Sequence, residues 1–266
     1  MFGILNSVRT LSAKSGWRWG RLRLLVASAA LWILTTSAQA AETFRNTPTV
    51  GSLLWKPTLP AAQAATAPLP LLVVLHGDGG SPQQLLSLLI PEAQRRGLQV
   101  LALACPRDQG CSHRSFWQWN PSPAWLTESL QALAQLHKFD ASRVYLLGWS
   151  GGASYLADVM AQVPPQFAAV ALLGGGMPTR GAGGCAACKL PIYYSIGEKN
   201  PLRALAEASY QELKKCGHEV SWHVVRGADH AAEWESLQKG GVRAVLDFLL
   251  GKAGVCPSLG KTDSVK

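Results

Sequence analysis

Arg143-Val144-Tyr145-Leu146-Leu147-Gly148-Trp149-Ser150-Gly151-Gly152-Ala153-Ser154-Tyr155 is the stretch from which the fold is read. Val144 to Leu147 is a short apolar run bounded by turn residues, the signature of a buried strand. Gly148-Trp149-Ser150-Gly151-Gly152 then fits G-x-S-x-G, and Ala153 to Gln162 reads as a helix. Strand, tight glycine turn and helix form the setting in which a serine is held on a strained corner with its hydroxyl exposed. The helix start behind it offers unpaired backbone N–H groups to a developing negative charge. Ser150 is therefore the expected nucleophile. In a glycine-rich chain the motif also arises as an ordinary strand-to-helix turn, and its context favours the first reading.

Working outward, strands and helices alternate. Leu71 to Leu75 is wholly apolar, as a central strand covered on both faces requires, and it runs into His76-Gly77-Asp78-Gly79-Gly80. Ser81 and Pro82 open a helix that Gly97 closes. Further strands are expected at Val50 to Trp55 (an edge), Leu98 to Ala104, Phe167 to Leu173, Leu190 to Ile196 and Val220 to Val225. Helices are expected over Ala124 to Lys138, Leu202 to Cys216 and Ala231 to Leu250, the last interrupted near Gly240-Gly241. Such alternation predicts an α/β fold, a mostly parallel sheet with helices on both faces.

Residues 1–40 stand apart. They hold Arg9, Lys14, Arg18, Arg21 and Arg23 and no acid, then an apolar run from Leu24 to about Thr36 and Ser37-Ala38-Gln39-Ala40. This is the pattern of a signal peptide cleaved after Ala40, and the run falls short of the ~20 residues of a spanning helix. The expected organisation is a leader over 1–40 and one domain over 41–266, periplasmic or secreted, with no stable membrane insertion once the leader is removed. Taking the five leader cations from the formal +9 leaves +4 for the rest. No Lys/Arg stripe remains there, so nucleic acid is not an expected partner.

All six cysteines (105, 111, 185, 188, 216 and 256) follow the leader. An even count in an exported chain points to disulfides, with 15 connectivities open. Cys105 and Cys111 bracket a short loop and are the best single pair. Cys185 and Cys188 form C-x-x-C in a glycine-rich loop, where bridging suits them better than redox or metal chemistry. No metal or other cofactor is implied.

A serine hydroxyl needs a base. His230, in Arg226-Gly227-Ala228-Asp229-His230 after the last strand, is the expected one. The backbone N–H groups of Gly151 and Asp78 are the expected oxyanion donors. The third member is less legible. A carboxylate is expected in Gly197-Glu198-Lys199-Asn200-Pro201, yet its acid slot holds the amide Asn200. Three readings stay open: Asn200 orients His230 without a charge, Glu198 takes the role, or the acid is missing. Trp117, Trp119 and Trp149 are candidates for an apolar substrate pocket, with core packing the alternative for the first two.

His76 to Gly80, Trp117-Gln118-Trp119, Phe139 to Tyr145, the Gly148–Gly152 elbow, Gly197 to Pro201 and Asp229-His230 occur in an order that resembles the α/β-hydrolases. Within them the chain is most similar to exported esterases related to polyhydroxybutyrate depolymerases and feruloyl esterases. The likeness covers about residues 70–250 and implies an eight-stranded, mostly parallel sheet and a serine esterase working through an acyl-enzyme. The implied partner is a small-molecule or polymeric ester; acyl group, alcohol and oligomeric state are not legible. The departure is Asn200, where these enzymes usually carry Asp. A peptidase on the same fold and a non-catalytic binding protein are the alternatives.

Overall fold

The computed structural model describes residues 42–44 (backbone), 51–60, 67–106, 111, 117, 123–163, 166–179 and 185–254; the leader, Trp119 and Cys256 lie outside them. All the elements belong to the compact unit Ala38–Lys266. Among the described residues no helix is long and apolar enough to cross a membrane.

Among the described residues eight strands form one sheet: β1 Glu42–Phe44, β2 Ser52–Trp55, β3 Leu71–Leu75, β4 Gln99–Leu103, β5 Val144–Trp149, β6 Ala169–Leu173, β7 Pro191–Gly197 and β8 Glu219–Val225, in the order β1-β2-β4-β3-β5-β6-β7-β8. Strands β4, β3, β5, β6, β7 and β8 run parallel, and β2 runs antiparallel to both its neighbours, β4 and β1. One strand expectation needs correction. The 50–55 segment is not the edge, because Glu42–Phe44 pairs outside it.

The helices are α1 Pro82–Arg96, α2 Ala124–Leu136, α3 Gly151–Asp158, α4 Arg203–Lys215, α5 His230–Ser236 and α6 Val242–Leu250. Helix α1 begins and ends as its sequence predicts: the Ser81 hydroxyl accepts from Gln84 N–H, and Gly97 closes it in a left-handed conformation. Helix α3 is shorter than expected and gives way to a 3₁₀ turn at Met160–Gln162. The closing helix is interrupted where foreseen, by a π-type segment at Leu237–Gly241 with Gly240 at φ 116°.

Strand residues alternate between two apolar layers, as a period of two demands. Leu71, Val73 and Leu75 face a layer closed by α2, α3 and α4, with Trp125, Tyr155 and Leu156 among its largest members. Leu72 and Val74 face α1 and α6, which bury Leu86, Leu89, Val245 and Leu246. Each such aliphatic side chain is worth about 1.5–3 kcal/mol. The chain leaves β3 through α1 to reach β4 on one side, then returns to β5 on the other side of β3. Helices α1 and α3 therefore depart over opposite faces, and a crevice opens above the carboxyl ends of β3 and β5. The register Leu75↔Gly148 sets the His76–Gly80 loop beside Ser150.

Cys105–Cys111 and Cys185–Cys216 are disulfides, and Cys188 is also bridged. The C-x-x-C cysteines thus do not pair with each other. By loop-closure entropy, the 31-residue separation of Cys185 and Cys216 is worth about 4 kcal/mol and the six-residue one of Cys105 and Cys111 about 2.

Candidate active site

Ser150 follows β5 and precedes α3 at φ 52°, the one positive value at a non-glycine position among the described residues. Such a backbone costs of order 1–3 kcal/mol and persists because its surroundings hold it. Those surroundings are tight. A Cβ on Gly148 would lie 2.6 Å from Ala153 N, and one on Gly152 would lie 2.5 Å from Leu75 O. Glycine at both places lets helix and strand meet, and Ser150 N–H closes the corner by donating to Leu173 O at 2.8 Å.

His230, the first residue of α5, places Nε2 2.9 Å from Ser150 Oγ. Asp229 does not face the ring; it caps α5, its side chain accepting from Ala232 N–H at 2.9 Å. Against Nδ1 of His230 lies Glu233 Oε2 at 3.1 Å, from the same helix one turn later, where i and i+3 share a face. Glu233 is only 4 % exposed. Its Oε1 accepts from Gly197 N–H, and its Oε2 also accepts from Asn200 Nδ2 at 2.6 Å.

Asn200 is 4 % exposed and sits between these groups. Its Oδ1 accepts from Leu202 N–H at 2.8 Å, which fixes which end of the amide is oxygen. The two Nδ2 protons then have two acceptors, Glu233 Oε2 and Gly174 O, the latter at 3.2 Å. Neither proton remains for His230, although Nδ2 lies 3.1 Å from Nδ1. The arrangement is consistent with His230 carrying its proton on Nδ1, aimed at Glu233, and leaving Nε2 free to accept from Ser150.

Two sequence expectations are corrected here. Glu198 is exposed and its carboxylate accepts from Gly227 N–H at 2.7 Å, tying the β7 and β8 loops together without reaching His230. Asn200 does lie at the ring, but as a donor to a carboxylate that the sequence reading overlooked. The available signal for Glu233 was its spacing in His230-Ala231-Ala232-Glu233, within one turn of a capped helix start.

The tryptophans separate. Trp117 is 3 % exposed, stacked on Trp125 and Tyr155 with ring centroids 5.9 and 5.4 Å away, so it belongs to the core and not to a substrate pocket. Trp149 lies parallel to His230, centroids 4.9 Å apart and planes at 4°, with Trp234 on it at 5.1 Å. Its face is occupied by the imidazole, and its ring also borders a cavity of about 120 Å³ behind Glu233, lined by Tyr193, Ser195 and His223. Trp119 lies outside the described residues.

On the other side of Ser150, the β3–α1 loop is pinned by His76 and Trp117. His76 Nε2 accepts from Cys105 N–H at 3.2 Å, so Nδ1 carries the proton that meets Gly77 O at 2.7 Å. Burial holds His76 below the usual imidazole range, with the Gly77 carbonyl opposing. Trp117 Nε1–H donates to His76 O at 2.6 Å, and Trp117 N–H to Asp78 Oδ1 at 2.8 Å. Gly151 N–H, first in its helix, has no intrahelical acceptor. Asp78 N–H has no acceptor among the described residues. Both amides are available to an anion. Among the described residues no group of three His, Cys, Asp or Glu side chains is placed to hold a metal ion.

No family model matches the chain. MhqD of Bacillus subtilis (strain 168), which carries the provisional name of a hydrolase, is 26% identical over 178 residues, 63% of this chain and 89% of its own. NocK of Nocardia uniformis subsp. tsuyamanensis, provisionally an esterase, is 28% identical over 157 residues, 54% of this chain and 44% of its own. Among solved structures, a thermostable esterase superposes with a TM-score of 0.58 at 20% identity, covering 80% of this chain and 63% of its own. LpqC, a poly(3-hydroxybutyrate) depolymerase from Bordetella parapertussis, superposes with a TM-score of 0.53 at 19% identity, covering 74% and 83%. Sheet order, elbow and these neighbours agree, and the chain has the α/β-hydrolase fold.

Proposed function

We propose that the protein is an exported serine esterase in which Ser150, His230 and Glu233 form the catalytic triad. The observation that carries this is the line Ser150 Oγ–His230 Nε2, 2.9 Å, and His230 Nδ1–Glu233 Oε2, 3.1 Å. As Oγ attacks an ester carbonyl, its proton passes to Nε2, and the new oxyanion meets the N–H groups of Gly151 and Asp78. When the tetrahedral species collapses, Nε2–H protonates the departing alkoxide and leaves an acyl group on Ser150. Water repeats the sequence, giving up a proton to Nε2 and releasing the acid as Oγ recovers its own. Glu233 stabilises the imidazolium at each stage, and Asn200 positions Glu233. The names of MhqD and NocK and of the solved neighbours support a hydrolase. The leader pattern and the disulfides support export. With Glu233 against the ring, the amide at 200 no longer argues for a scaffold that has lost catalysis.

The test is hydrolysis of short-chain p-nitrophenyl esters by the wild type and Ser150→Ala, with a neutral fluorophosphonate adduct mapped by peptide mass. Activity that depends on Ser150 and an adduct on Ser150 are expected. An adduct on another residue, or equal turnover by Ser150→Ala, rules the reading out.

A further inference from the structure

Asp78 gives more than a backbone amide to this site. A Cβ built on Gly151 would fall 2.2 Å from Asp78 Oδ1 and 2.7 Å from Oδ2. The carboxyl group occupies the space that a side chain at 151 would need, and glycine there lets it lie against the start of the helix. Oδ1 is engaged by Trp117 N–H; Oδ2 has no partner among the described residues. Among the described residues no Lys or Arg pairs with the group, and His76 is the titratable side chain beside it. Burial pushes the Asp78 carboxyl above the usual carboxylate range, against the pull of Trp117 N–H and His76.

A carboxylate so close to the two oxyanion donors has a definite electrostatic consequence. It opposes the negative charge that forms on the carbonyl oxygen at short range, with water at the exposed Asp78 screening part of the effect. A substrate that carries its own cation to this position removes the penalty and gains an ion pair; an anionic substrate adds a second repulsion. The leaving oxygen must sit against His230 Nε2 to be protonated, whereas Asp78 borders the oxyanion amides and does not contact His230. The group that meets Asp78 therefore belongs to the acyl half of the ester.

We propose that Asp78 is a specificity-determining residue that selects acyl groups bearing an ammonium on the α or β carbon of the scissile carbonyl, and rejects those bearing a carboxylate there. The proposal rests on the serine-esterase reading.

Three p-nitrophenyl esters with a common leaving group test it: the 3-aminopropanoate, the isosteric neutral butanoate and the hemisuccinate. Each kcat/KM is divided by the ester's own hydroxide rate. The wild type is expected to prefer the ammonium ester to the butanoate by about tenfold and to disfavour the hemisuccinate, as a single partly screened charge near the transition state implies. Asp78→Asn, which keeps an acceptor for Trp117 N–H, and Asp78→Ser bring all three ratios toward one. Labelling of Ser150 by a neutral fluorophosphonate reports an intact centre in each protein. Labelling with no wild-type preference, or with a preference that survives in both variants, overturns the proposal and leaves the esterase reading standing. No labelling of the wild type refutes the esterase reading, and the proposal with it.

Discussion

Asn200→Asp separates two accounts of the site that differ in where the acid resides. If position 200 were the acid slot and the amide a lost carboxylate, restoring Asp would raise turnover. The structure argues the reverse. Asn200 Nδ2 donates to Glu233 Oε2 at 2.6 Å, so the substitution sets a second carboxylate against the first. Relaxed to about 3.5 Å at an effective dielectric constant of 20, two such charges repel by about 5 kcal/mol. The pair avoids this by keeping one shared proton to higher pH than either carboxyl would alone. The folded variant then binds more protons than the unfolded chain at neutral pH, so its stability falls as pH rises. At pH 5, with the proton retained, its Tm lies near that of the wild type. At pH 8 most of the 5 kcal/mol is felt, and at about 2–4 °C per kcal/mol for a domain of this size the loss is about 10–20 °C. Thermal unfolding by circular dichroism at the two pH values, with ester turnover beside it, is the assay. Equal Tm losses at both pH values, or a gain in kcat, would refute the placement of the acid on Glu233.

Glu233→Gln must keep an acceptor toward Gly197 N–H and so turns an amide N–H toward His230; the ring is forced into the wrong tautomer, and kcat falls by about 10³–10⁴, as for the corresponding change in a serine protease, while Glu198→Gln stays near wild type. Trp149→Leu removes the ring stacked on the imidazole and is expected to cost about tenfold in kcat with KM little changed, and Trp149→Phe, which keeps a π face, restores much of it. His76 and His218 are buried and held below their ordinary imidazole range, chiefly by desolvation. The unfolded chain therefore takes up protons first, and chemical denaturation should show stability falling as pH drops below about 6.5, with a shallower slope in His218→Asn.

Much of the fold was legible because its determinants are short-range. The wholly apolar Leu71–Leu75 is apolar because helices cover both faces, and Ser81, Pro82 and Gly97 bound α1 through contacts no more than five residues long. The Gly148–Gly152 elbow is of the same kind. Its strain and its glycines answer to atoms within a few positions, on the neighbouring strand or in the loop that follows that strand. That Ser150 and His230 would be brought together was likewise legible, since each follows a predictable strand.

What eluded the residues alone is how groups distant along the chain share one another's atoms. Gly197 and Asn200 come from the end of β7 and the loop after it, His230 and Glu233 from the first turn of α5, and they make one hydrogen-bonded cluster because β8, which leads into α5, is the parallel neighbour of β7. A carboxylate can reach an imidazole from any of several elements, so the i, i+3 spacing of His230 and Glu233 offers one candidate without selecting it. Trp149 and Trp117 show the same limit: both are aromatic residues near the elbow, yet one lies flat on His230 and the other in the core, according to which side of a strand or loop the rest of the molecule covers. Propensity and periodicity act over a turn or two of chain and write the elements into the sequence. Which carboxylate faces His230, and which surface each ring meets, is set by packing between segments far apart in the chain, as where Gly197 and Asn200 hold Glu233 from 36 and 33 residues away.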